Sequence, residues 1–182
     1  MISRIVQTAF RSHIYLMVVK VYIPILFPLT FLICLFSTFL DEKLGFGAGI
    51  ISQPLNYFIA GSTFLVGGLF WLWTYEQLSR VGEGSPSPTA GRTIKLVKTG
   101  IYAFSRNPSI FGKLLGFLAI GIAINSFSFC FILAPMLLTG SLVEKVWRQE
   151  PQLVELFGDE YETYRKEVPL FIPWKIFLPK RS

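Results

Sequence analysis

Three long apolar runs decide what this chain can fold into. Residues 15–40 (YLMVVKVYIPILFPLTFLICLFSTFL), residues 57–75 and residues 109–143 are almost free of charge. A helix needs about 20 apolar residues to cross a bilayer, so the first two runs make one span each. The third is too long for one span and has a polar break at Asn125–Ser126, so it makes two. Charged residues are 15% of the chain and hydrophobic ones 52%, whereas a soluble domain carries about a quarter charged residues. The expected fold is an all-α integral membrane protein with about four transmembrane helices. The last two form a C-terminal helical hairpin, followed by a short cytoplasmic helical tail. Residues 1–79 make the N-terminal pair of membrane helices; residues 80–182 comprise a cytoplasmic loop, the hairpin and the tail.

Charge placement orients these spans. Of 17 Lys and Arg residues, all but Lys43 and Lys113 fall in the N-terminal segment, the 76–108 loop or the segment after residue 143. By the excess of bases in cytoplasmic loops, both termini and the 76–108 loop are cytoplasmic. The 41–56 loop and the Asn125 turn then lie outside. The net charge of +6 follows from topology and from anionic lipid at the cytoplasmic leaflet. A nucleic-acid partner would need a folded basic face with interleaved aromatics, and none is present in the sequence. The first run is longer than a signal-peptide core and lacks a small-residue cleavage site, so it reads as a retained span. Cys34 and Cys130 lie inside apolar runs without metal-ligand spacing, and His13 stands alone among bases, so no metal is expected.

Local punctuation refines this outline. Pro24 and Pro28 in the first run, and Pro135 in the last, should bend their helices. Gly61, Gly67 and Gly68 should permit close helix approach, and Trp71, Trp73 and Tyr75 make an interfacial anchor. The stretch RVGEGSPSPTAGRT (80–93) reads as a long irregular loop. Pro108 suits a helix first turn. Glu150 to Phe157 continue a short helix stopped by Gly158, and Asp159 with Glu162 resembles a capping box for the next. Tyr161, Tyr164 and Val168 recur at helical spacing before Pro169.

Two segments carry polar chemistry at one membrane face. Tyr102, Arg106, Asn107 and Pro108 lead into the hairpin; Arg148, Gln149 and Glu150 lead out of it. A hairpin brings its two mouths together, so these groups should cluster. A guanidinium offers a fork for a carboxylate or phosphate, and a nearby carboxylate can take an ammonium group. The free N–H groups of the first helical turn favour an anion. Such a pair suits a zwitterion, or equally an interface of mutually paired charges.

The segments KLVKTGIYAFSRNPSIFG and RQEPQLVELFGDEYETYRKEVPLFIP resemble the membrane methyltransferases that group isoprenylcysteine carboxyl methyltransferases with phospholipid N-methyltransferases. The match runs over about residues 80–174. GSPSPT is similar to the Gly-Thr-Pro-x-Pro loop of many bacterial members. The resemblance implies an S-adenosylmethionine site at the cytoplasmic membrane face and a lipophilic substrate arriving from the bilayer. It implies cofactor binding by Asn107, Pro108, Gly112, Gln149 and Glu150, and catalytic placement of Arg106 and Tyr102. Tyr161, Tyr164 and Arg165 would meet substrate, or the two tyrosines would pack the tail onto the hairpin.

Three positions depart from the family pattern. Gln149 replaces the first of two glutamates, Ile110 replaces a tyrosine, and Ile101 replaces a proline. The fuller tail motif favours a carboxyl methyltransferase; the alternatives are a phospholipid amine N-methyltransferase or a homologue that has lost methyl transfer.

Overall fold

A computed structural model describes residue 25 and residues 27–82 and 95–171, and the regular structure among these is entirely helical. Pro24, His13, the GSPSPT loop and the tail beyond residue 171 lie outside the described residues. Helix α1 covers Phe27–Leu44, α2 Leu55–Val81 and α3 Ser109–Ala123. A continuous helix then runs over Phe129–Phe157, comprising α4 (Ala134–Glu144) and α5 (Glu150–Phe157), each preceded by a wide turn. Helix α6 covers Asp159–Glu167.

Two of these helices are long and apolar enough to cross a membrane: α2 with 27 residues and Phe129–Phe157 with 29. Helix α3 is apolar but has 15 residues, a length of about 22 Å. The outer faces fit a lipid environment. Phe31, Phe36, Phe39, Phe58, Phe64, Leu65 and Leu72 are all exposed, an extent of large apolar side chains that a soluble monomer rarely leaves in water.

Helices α2 and α3 form the centre of the bundle, and glycine sets how closely they approach. A Cβ on Gly67 would stand 2.8 Å from Leu115 Cβ and 3.2 Å from the Gly112 carbonyl; one on Gly112 would stand 3.1 Å from the Gly67 carbonyl and from Trp71 Cβ. Gly61 and Gly68 face open space, so only Gly67 of the three expected glycines serves a close crossing. Gly67→Val should therefore lower stability by about 1–3 kcal/mol through overpacking. Gly61→Val should leave the thermal melt of the detergent-solubilised protein unchanged.

The prolines act differently from simple kinks. Pro28 falls in the first turn of α1, where its missing N–H costs nothing. Pro135 and Pro151 each follow a π turn, Phe129–Leu133 and Lys145–Gln149 respectively. In each, the residue just before the proline donates five residues back, Ala134 to the Phe129 carbonyl and Glu150 to the Lys145 carbonyl. The helix thus widens by one residue before each proline, a device frequent at functional sites.

The end of the bundle opposite the 95–108 segment is tied by side chains. Asn125 takes a left-handed φ of 57°. Its Oδ1 accepts from the N–H groups of Ile50 and Ile51 at 2.9 and 3.0 Å, and its Nδ2 donates to the Ile51 carbonyl at 2.9 Å. Asn56 Nδ2 donates to the Ala123 carbonyl at 3.2 Å, satisfying an orphan at the end of α3. The α1 helix runs past residue 40 to include Asp41, whose buried carboxylate accepts from Ser128 N–H at 2.7 Å. Ser126 Oγ accepts from Phe129 N–H at 3.1 Å, so an acid and a hydroxyl together cap the last long helix.

Candidate functional site

The chain reaches the site through a short 3₁₀ turn, Gly100–Ala103. Gly100 has φ 60°, and a Cβ there would stand 2.6 Å from Gln77 Oε1, so glycine permits both the turn and its approach to α2. Ile101 and Tyr102 bury themselves with Val97 against Phe70 and Leu78 of α2. The backbone then runs through Ser105, Arg106 and Asn107 into Pro108, which stands at the N-cap of α3 with φ −62°.

The segment after α6 straps this turn in place. Arg106 N–H donates to the Pro169 carbonyl at 3.0 Å, and Asn107 Nδ2 donates to the Leu170 carbonyl at 3.3 Å. Ser105 Oγ donates to the same Leu170 carbonyl at 3.4 Å and accepts from Asn107 N–H at 3.2 Å. The Tyr164 hydroxyl donates to the Tyr102 carbonyl at 2.7 Å. Tyr161, Tyr164 and Val168 are buried together against Leu96, Leu153, Val154 and Phe157, as their helical spacing predicts.

The two mouths of the hairpin meet at a buried ion pair. Arg106 Nη1 donates to Glu150 Oε1, and the two side chains are only 10% and 6% exposed. Arg165 approaches the other Glu150 oxygen at 3.5 Å and Glu162 at 3.6 Å. The Arg106 Nε is buried and has no partner among the described residues. The Tyr161 hydroxyl faces both members of the pair. Around them lies a cavity of about 70 Å³ whose walls include Tyr102, Asn107, Lys145 and Gln149.

Burial holds the three tyrosines protonated. It pushes Tyr102 to about 12 and, with the Glu150 charge, Tyr161 to about 12; Tyr164 rises further under burial and its neighbours Tyr161 and Tyr102. An ordinary tyrosine ionises near ~10. Each raised value therefore contributes stability that is fully present below about pH 10 and lost as pH climbs through it, about 12 for Tyr102 and Tyr161 and higher for Tyr164. Titration of phenolate absorbance should show the buried tyrosines ionising only as the fold is lost. Tyr164→Phe, which strips a buried carbonyl of its donor, should cost about 1–3 kcal/mol in a denaturation midpoint.

Most expected site residues are brought together, but not all. Tyr102, Arg106, Asn107, Gln149, Glu150, Tyr161 and Tyr164 line one cavity. Pro108 is buried beside it at the N-cap of α3, and Arg165 reaches Glu150 from α6. Gly112 instead lies at the crossing with Gly67, and Arg148 points outward and is exposed. Ile110 is fully buried. The capping box expected at Asp159 is absent: Gly158, with φ 51°, occupies the N-cap and no side-chain cap bond forms. Asp159 is already within the helix, where its charge serves the positive terminus. The sequence reading missed Ser105 and Lys145; a polar residue just before the Arg106 triplet and a base one turn before Gln149 were the available signals.

The comparisons with known proteins bear on this geometry. The chain belongs to a methyltransferase family: the model for the phospholipid methyltransferase family matches residues 55–160, more than half of the chain. Protein-S-isoprenylcysteine O-methyltransferase of Schizosaccharomyces pombe is 37% identical over 78 residues, covering 43% of this chain and 33% of that protein. The chain thus matches about a third of the length of that curated relative. No solved structure matches it.

Proposed function

We propose that the chain transfers a methyl group from S-adenosylmethionine to a lipophilic acceptor that reaches the site from the bilayer. The leading acceptor is a carboxylate of the isoprenylcysteine kind that the name of the fission-yeast relative describes. The observation that carries this reading is the buried Arg106–Glu150 pair, joined across 44 residues of sequence within the matched range. Under it, the helices cross the bilayer about four times and the cavity faces the cytoplasm, with both termini.

The residues present fit the amino-acid end of such a cofactor. The Arg106 Nε, without a partner among the described residues, can donate to a carboxylate, and Glu150 is the acid that an ammonium would meet. A volume of about 70 Å³ accommodates a small charged group rather than a nucleoside. The bound cofactor supplies an electrophilic methyl on a sulfonium. The chain's task is then to align the acceptor, and orientation alone is worth on the order of 7 kcal/mol or more in favourable systems. Asn107, tied to Leu170, would fix the backbone around Pro108. Arg106 would sit nearest the reacting centre, and Tyr102 and Tyr161 keep their protons at neutral pH and so donate hydrogen bonds without acting as bases. Tyr164 and Arg165 would hold the site's shape, the first through Tyr102 and the second through Glu150. Gly112 would act through the packing of α3.

A carboxylate acceptor is already nucleophilic and needs no base; an amine must first lose a proton. The family's phospholipid description favours the amine as second reading. Radiolabelled methyl transfer into a total membrane extract separates the two. Base-labile label marks an ester; base-stable label marks an amine. Calorimetry with S-adenosylmethionine on folded, detergent-solubilised protein tests the enzyme itself, and a clean absence of binding would leave a homologue without catalysis.

A further inference from the structure

We propose that Lys145, aimed by Gln149, is a carboxylate-binding point in the cavity, separate from the Arg106–Glu150 pair. What fills the cavity rests on the methyl-transfer reading above; the residue itself is argued from local geometry.

Lys145 and Gln149 stand at the two ends of the π turn Lys145–Gln149, and both line the cavity. Lys145 Nζ donates to Gln149 Oε1 at 2.6 Å. The Gln149 amide nitrogen donates to the two oxygens of Glu144 at 3.1 and 3.2 Å. Glu144 therefore fixes the amide's orientation and turns its oxygen toward the ammonium. An ammonium has three donors, and Gln149 takes one. Among the described residues no carboxylate forms an ion pair with Lys145. Glu150, the carboxylate in the cavity wall, is engaged by Arg106 and Arg165.

Charge along the wall points the same way. Lys95, Arg106, Lys145 and Glu150 all line the cavity, with Arg106 paired directly to Glu150. Lys113 of α3 lies close enough to Lys145 to repel it, and Glu144 close enough to attract it. By formal charge the lining holds three bases and one carboxylate, a balance that favours an incoming anion. Glutamate at position 149 would pair with Lys145 and cancel its charge. Glutamine keeps the aim and leaves the charge available. Gln149, a departure from the family pattern, thereby becomes the residue that lets Lys145 take a ligand's carboxylate. That carboxylate can come from the amino-acid end of the cofactor or from the methyl acceptor.

The test uses the full chain in detergent and calorimetric affinities for three probes. These are S-adenosylmethionine, an N-acylated S-farnesylcysteine and the uncharged methyl ester of the latter. Lys145→Gln and Gln149→Glu should each weaken one carboxylate probe about tenfold or more, the scale of a lost charge-assisted hydrogen bond. Loss confined to the farnesylcysteine acid, with its ester unchanged, assigns the point to the acceptor. Loss confined to S-adenosylmethionine assigns it to the cofactor. Lys145→Arg, which keeps the charge, should retain most of the affinity, and circular dichroism checks that each variant folds. Unchanged affinity for all three probes in both neutralising variants overturns the proposal while methyl transfer stands. If the parent protein binds the acid through Lys145 but not S-adenosylmethionine, the carboxylate point stands and the methyl-transfer reading falls. If it binds neither, both fall.

Discussion

Glu150→Ala should destabilise the protein by about 3–5 kcal/mol, the cost of leaving one member of a buried ion pair without its partner. The same change should remove measurable S-adenosylmethionine binding. The Arg106 guanidinium is buried, and its Nε has no partner among the described residues, so losing Glu150 would leave a buried cation facing the Tyr161 hydroxyl without a counter-charge on its Nη1. Arg165 would lose its contact with Glu150 and keep the one with Glu162 at 3.6 Å. Pairing the change with Arg106→Met separates charge from packing. The double variant should recover part of the lost stability, because the isolated charge is the costly element. Denaturation midpoints and calorimetry read the two effects independently. A single variant that melts like the parent would mean that the pair is not buried in solution.

Asn125→Ala should be nearly as damaging, although it lies at the opposite end of the bundle. Alanine at φ 57° costs about 1–2 kcal/mol. The variant also loses hydrogen bonds to Ile50 and Ile51, each worth about 1 kcal/mol net. Asn125→Gly restores the backbone freedom but not those bonds, so it should fall between alanine and the parent. Thermal melts rank the three, and hydrogen exchange at the Ile50 and Ile51 amides should accelerate in both variants.

These two sites differ in how far they could be read from the sequence. The apolar runs announce helices because bilayer thickness fixes their length, and the Asn125–Ser126 break falls where the hairpin turns. Arg106 and Glu150 could be paired in advance because a hairpin must bring its two mouths together. Tyr161, Tyr164 and Val168 followed from helical period. By contrast, Asp41 reads as a border charge until Ser128 N–H is found on its carboxylate. The strap from Ser105, Arg106 and Asn107 to Pro169 and Leu170 uses backbone carbonyls that no side-chain pattern encodes. Gly112 matches a motif position yet serves a helix crossing, because a glycine's role depends on what approaches it. Lys145 is one of several border bases in the sequence; its one-turn spacing to Gln149 is legible there, but the cavity wall that the two share is not.

The separation of 44 positions from Arg106 to Glu150 also sets an order of events during synthesis. At about 5–20 residues per second, the guanidinium leaves the ribosome roughly 2–9 seconds before its carboxylate. For that interval it is an unpaired cation at the start of α3, and an unpaired cation resists entering hydrocarbon. If the hairpin inserts as it emerges, Arg106 would act first as an anchor that keeps its end of α3 in water. Only after Glu150 arrives would it become half of the site, and Pro169 and Leu170 would close over it later still. One residue would thus serve the membrane's geometry first and the chemistry afterwards.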